Sequence, residues 1–185
     1  MTLRTEPGRR YDAAMHVVLL RHGIAMERGD PTCPTDDLRP LSFKGRRRTA
    51  GACRGLAAMD VLPERIYTSP LTRAQQTAQI AAEQFGRPRI LTTDVLRGGT
   101  HPGLLFELLG SLTVGEVLCV GHAPHLDLVL AQALRSGQAS IEKLKKAGAA
   151  RIVFDSVAAG SGRLEWQLQP RALRALGKAT EGDPA

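Results

Sequence analysis

From His16 onward, short apolar runs alternate with longer amphipathic stretches. Val17, Val18, Leu19 and Leu20 are contiguous, as expected of a strand buried on both faces, and residues 16–21 read as a first strand. A loop rich in Asp, Pro and Thr follows over 25–40. Ser42 then offers an N-cap for a helix over 43–58. Residues 65–68 read as a short strand. Pro70 suits the first turn of a helix to about residue 85, with Leu71, Ala74, Ala78, Ala81 and Ala82 on its apolar side. Residues 88–92 suit an edge strand, 102–109 a helix and 116–120 a strongly apolar strand. Pro124 opens a helix whose Leu126, Val129, Leu130, Ala133 and Leu134 are spaced for burial. Residues 150–154 and 163–168, parted by Gly160-Ser161-Gly162, read as a hairpin.

Strands alternating with helices predict an α/β fold: a three-layer α/β/α sandwich with a mostly parallel central sheet, in one compact domain over 15–177. Residues 1–14 and 178–185 are polar and unpatterned and read as flexible tails, with Met15 a candidate natural start.

No apolar run approaches the ~20 residues of a membrane span. Arg9 and Arg10 hint at an export signal, but the apolar run behind them is short and broken by Arg21 and His22. A cytoplasmic protein is expected. Cys33, Cys53 and Cys119 are odd in number and unpaired in spacing, against a disulfide framework or a zinc site. Cys119, in a core strand, reads as a small buried hydrophobe. The net charge is +7, with clusters at Arg46, Arg47 and Arg48 and at Lys143, Lys145 and Lys146. With only 4% aromatic residues and no binding motif, nucleic acid is not the expected partner. A solvated basic face, or attraction of an acidic or phosphorylated substrate, remains.

Ligands of parallel α/β sheets gather at the carboxyl ends of the strands. There the first strand ends in Arg21-His22-Gly23. The second ends in Thr68-Ser69-Pro70, with Arg73 one turn into the next helix. The strand ending at Val120 leads into Gly121-His122. Each residue alone has a bland reading. Arg73 at a helix start opposes the helix dipole, however, unless an anion or carboxylate is near. Two histidines and two arginines on one edge suit phosphoryl chemistry. Arginine forks match phosphate oxygens, a neutral histidine is a nucleophile toward phosphorus, and a protonated one stabilises the transferring group.

The stretches LLRHG (19–23), TSPLTRAQQTA (68–78) and VGHAPHL (120–126), in this order and spacing, resemble the histidine phosphatase superfamily. DDLRPLSFKGRRRTA (36–50), ARIVFD (150–155) and GRLEWQLQP (162–170) look most like its small SixA-type phosphohistidine phosphatases, extending the resemblance to about residue 175. The resemblance implies His22 as the phosphorylated nucleophile, Arg21 and Arg73 as phosphate clamps and His122 as the second pocket histidine. It implies no metal or other cofactor. Gly23 and Ser69 match the motif without a required substrate contact.

Larger members supply a carboxylate general acid in the region corresponding to 95–109. Here Asp94, His101 and Glu107 are on offer, and none is a clean match; His101 is carried forward as a substrate-binding candidate. Imidazole, with a pKa of about 6.5, leaves more readily than an alcohol, so a phosphohistidine substrate makes less demand on such an acid. His125, three residues after His122, faces either pocket or solvent. The expected activity is a phosphatase working through a phosphohistidine intermediate on a histidine-phosphorylated protein. Small phosphoesters are the alternative substrates, and a non-catalytic phospho-ligand binding module the alternative class.

Overall fold

The computed structural model describes residues 14–33, 35–134 and 142–179. Six strands form one mixed sheet: β1 (Met15–Arg21), β2 (Arg65–Thr68), β3 (Arg89–Thr92), β4 (Glu116–Gly121), β5 (Ala149–Phe154) and β6 (Arg163–Leu168). The order is β3-β2-β4-β1-β5-β6. The β3–β2, β2–β4 and β4–β1 pairs are parallel. The predicted β5–β6 hairpin is antiparallel, and β5 also runs antiparallel to β1.

Helices cover both faces, giving the expected three layers. Alternation within each strand divides the core. Val18, Leu20, Ile66, Leu118 and Val120 meet α1 (Phe43–Ala57), α2 (Thr72–Gln84) and α5 (Pro170–Ala179). Val17, Leu19, Val117 and Cys119 meet α3 (Gly103–Gly110) and α4 (His125–Ala133). Cys119 is fully buried, and burial pushes its thiol up to about 12, so it acts as a small hydrophobe as expected.

Ser42 caps α1, its Oγ accepting from Gly45 N at 3.0 Å. Two local readings change. Pro70 stays in the turn before α2, whose N-cap is Leu71. Helix α5, which the linear pattern did not reveal, follows β6 and includes Lys178 and Ala179, two residues of the expected tail; the remainder of both expected tails, except Ala14, lies outside the described residues. Pro170 in the first turn and the 173, 176, 177 spacing were the available signal, weakened because one member of the stripe is a glycine. What seats α5 is its partner: a Cβ on Gly55 of α1 would overlap the Leu173 carbonyl.

Register does the functional work. Arg21 pairs with Gly121, and both Leu20 and Thr68 pair with Val120. The three adjacent strands β2, β4 and β1 therefore end level with one another.

Candidate active site

The level strand ends open into a cavity of about 670 Å³. Arg21, His22, Arg73 and His122 all line it, as the sequence reading expected. His22 and His122 are neighbours, their ring centroids 4.9 Å apart. His22, Arg73 and His122 are each buried.

His22 is fixed from below. Its Nδ1 lies 2.7 Å from Gly23 O. A carbonyl only accepts, so Nδ1 carries the proton and Nε2 keeps its lone pair. Nε2 has no hydrogen-bond partner among the described residues. Burial, then His122, Arg73 and Arg21, push the His22 pKa down to about 3, against a rise from the Gly23 hydrogen bond. The ring is neutral at neutral pH, as a nucleophile requires. Gly23 is needed at this position: a Cβ would overlap Thr49 Oγ1. Its N–H donates to Thr77 Oγ1 (3.1 Å), whose hydroxyl donates to Arg73 O (2.7 Å), tying the turn at His22 to α2.

The two arginines are held by different means. Arg21 Nη1 donates to Leu144 O at 2.7 Å. Arg73 donates through Nη1 to Asp36 O (2.7 Å) and through Nη2 to Asp36 Oδ2 (3.0 Å). This is the carboxylate that a cation at the start of α2 calls for. Asp36 also meets Arg39 (2.9 Å) and Arg28 (3.3 Å). Burial would raise its pKa, but Arg73, Arg39 and Arg28 together hold it below the ordinary value. Nε of Arg21 and of Arg73 is buried with no partner among the described residues, a donor reserve suited to an oxyanion.

His122 Nε2 and Ser69 Oγ share a hydrogen bond of 2.8 Å. Burial, followed by Arg73 and His125, pushes the His122 pKa down to about 4. In the protein alone His122 is therefore neutral, because it is desolvated among cations. An arriving dianion reverses that balance and favours its protonation.

His101 is not brought to the cavity. It is exposed, and its Nδ1 accepts from Gly103 N (3.1 Å) at the start of α3. The expected substrate contact is withdrawn, since the local turn claims this ring. Asp94 pairs with Arg97 at 2.9 Å and Glu107 is exposed on α3; neither lines the cavity. His125 meets neither of its two alternatives. It is 1% exposed, away from the cavity wall, with both ring nitrogens unpartnered among the described residues. Burial lowers its pKa, keeping it neutral.

Residues to which the linear reading gave no place in the pocket also line it: Asp36, Arg97 and Lys146. Only Thr77 had a local signal, four residues after Arg73. Asp36 reaches Arg73 across 37 positions, a distance that no periodicity encodes. Among the described residues no group of three or more His, Cys, Asp or Glu side chains is placed to hold a metal. Nor is any helix there long and apolar enough to cross a membrane.

Comparison with known proteins agrees with this geometry. Residues 17–98 match the family described as histidine phosphatase superfamily (branch 1). An uncharacterised protein of Picosynechococcus sp. is 37% identical over 138 residues, covering 72% of this chain and 82% of that one. Phosphohistidine phosphatase SixA of Escherichia coli K12 is 28% identical over 166 residues, 86% of this chain and 97% of that one. The solved protein histidine phosphatase SixA complexed with tungstate superposes with a TM-score of 0.77 at 26% identity, over 86% of this chain and 99% of that one. Sequence, fold and strand-end constellation together place the chain in branch 1 of the histidine phosphatase superfamily.

Proposed function

We propose that the protein is a phosphatase that forms phospho-His22 and that its substrate is a phosphohistidine on another protein. The observation that carries the reading is the state of His22: neutral, with Nδ1–H held by Gly23 O and Nε2 free among two arginines and a second histidine.

In the first step the Nε2 lone pair attacks phosphorus in line, and the bond from phosphorus to the substrate's imidazole nitrogen breaks. The departing imidazole, already protonated by solvent on its distal nitrogen, takes the electron pair of the broken bond and leaves as the neutral ring. Arg21, Arg73 and His122 hold the phosphoryl oxygens, supplying charge where it develops. Nδ1–H stays on His22, and Gly23 O stabilises the positive charge the phosphorylated ring acquires. In the second step water attacks phosphorus, the P–Nε2 bond breaks, and inorganic phosphate leaves as the water's proton is released.

Three observations support a phosphohistidine substrate. None of the acid candidates of residues 94–107 reaches the cavity, and imidazole needs such an acid least. The Escherichia coli relative that this chain nearly spans carries the name phosphohistidine phosphatase. The SixA structure that superposes on the fold was solved with tungstate, a tetrahedral oxyanion like phosphate. One observation favours small phosphoesters instead: Glu27 lines the cavity and makes no ion pair among the described residues, so a carboxylate stands within the site where an alcohol would leave.

The test compares initial rates on a phosphohistidine peptide and on a panel of sugar and nucleotide monophosphates, with rapid-quench capture of the labelled enzyme. Preference for the peptide and label on His22 are expected. Turnover retained by His22→Ala overturns the mechanism; preference for a monophosphate overturns the substrate.

A further inference from the structure

A second depression borders the first. It has a volume of about 480 Å³ and shares Arg21, Ile24 and Lys146 with the first cavity, so the two adjoin. Its other walls come from three distant parts of the chain: Arg48 of α1, Lys145 before β5, and Arg171 and Arg174 of α5. One member of the Arg46–Arg48 cluster, Arg48, thus meets two of the Lys143–Lys146 cluster, Lys145 and Lys146, and α5 adds two more cations. Among the described residues no Asp or Glu lines this trough.

Among the described residues the cations are uncompensated. Arg48, Lys145, Lys146, Arg171 and Arg174 form no ion pair with any described residue. Arg174, held lower in pKa by burial and then by Arg48 and Arg171, lies in their repulsive field, its stem packed on Gly51. Like charges gathered without a counter-charge oppose folding, and an anionic partner relieves them.

We propose that this trough is a second anion subsite, which docks an acidic surface flanking the phosphohistidine of a protein substrate. The inference rests on the phosphohistidine reading and deepens it. Adjacency at Arg21, Ile24 and Lys146 lets one extended ligand reach both depressions. A phosphoimidazole offers few contacts of its own, so recognition must come from its surroundings. The trough is open and lined by long side chains, three of them exposed (Lys145, Lys146 and Arg171), which suits several dispersed carboxylates on a protein face.

The test uses the full chain and two synthetic phosphohistidine peptides, one flanked by three glutamates and the other by three glutamines, with p-nitrophenyl phosphate as the reference. In the wild type the glutamate peptide is expected to have about tenfold higher kcat/KM at low ionic strength, the size a few exposed ion pairs give. That preference collapses in 0.5 M salt. Lys145→Gln/Arg171→Gln is expected to reduce it to within about twofold and to leave p-nitrophenyl phosphate turnover unchanged. Arg89→Gln/Arg163→Gln removes the same charge from exposed positions on β3 and β6 and is expected to keep it.

Equal rates on the two peptides, retention of the preference in the trough variant, or equal loss in the control overturns the inference. If neither peptide is hydrolysed while p-nitrophenyl phosphate is, the substrate reading fails by itself. The unphosphorylated glutamate peptide then decides the subsite: it must inhibit p-nitrophenyl phosphate turnover better than the glutamine peptide, and equal inhibition overturns it. Preference for 1,3-propanediol bisphosphate over propyl phosphate, with no effect of peptide flanks, also overturns it, because a small phosphoester then fills the trough.

Discussion

The catalytic cavity and the trough beside it are both rich in cations, yet they are built in opposite ways. In the cavity each key cation is anchored: Arg73 on Asp36, Arg21 on Leu144 O. In the trough, among the described residues, no carboxylate answers Arg48, Lys145, Arg171 or Arg174. Anchoring removes rotamer freedom beforehand, which positions a group for chemistry within fractions of an ångström. An unanchored charge attracts over a longer range but places nothing. On the proposed reading one region is organised to react and the other to recruit, although both are basic.

The comparison breaks most severely at the nucleophile. His22→Ala is expected to lower kcat at least about 10³-fold and abolish the phosphoenzyme in quench experiments, because no other ring nitrogen replaces Nε2. Arg73→Ala is expected to cost about 10²–10³-fold in kcat/KM, the range for one preorganised donor, and to leave Asp36 without its main partner. Arg73→Lys is expected to recover little, since an ammonium cannot reproduce the fork. Ser69→Ala, which frees His122 Nε2, is expected to cost about tenfold, mostly in kcat; an unchanged kcat would separate Ser69 from the positioning of His122.

Acid sharpens the contrast from another side. The folded state holds the pKa of His22 near 3 and that of His122 near 4, both below the 6.5 of an unfolded histidine. Between those values the unfolded chain binds more protons, so stability is full above pH 6.5 and declines as pH falls. The slope is about 1.4 kcal/mol per pH unit per histidine, readable from denaturation midpoints between pH 7 and 4. His22 itself stays neutral to pH 5, so its titration is expected to leave kcat/KM intact there. A tenfold loss with an apparent pKa near 6.5 would contradict the burial argument. The smallest effect is expected at His101→Ala, within about twofold on any substrate, since that ring only accepts from the α3 backbone.

Much of this protein was decided locally. The contiguous apolar run of β1, the Ser42 cap, the Pro124 start and the Gly160–Gly162 turn each use interactions within a few residues, so the layered fold and its strand ends could be read directly. His22, Arg21, Arg73 and His122 were legible because each sits where a local pattern stops, on a strand end or in a first turn. Tertiary structure decided everything that depends on approach between distant segments. Register across β2, β4 and β1 brought the four residues level. Asp36, from a loop without periodicity, supplied the counter-charge for Arg73. His101, carried forward from the sequence without a clean match, was turned to solvent by the path of the chain, and His125 was driven into the interior. The trough needed α1, the segment before β5 and α5 at once, over more than 120 residues of chain. Charge in a sequence is a sum, whereas a field at a point depends on where each charge lies, and only the folded chain sets those positions.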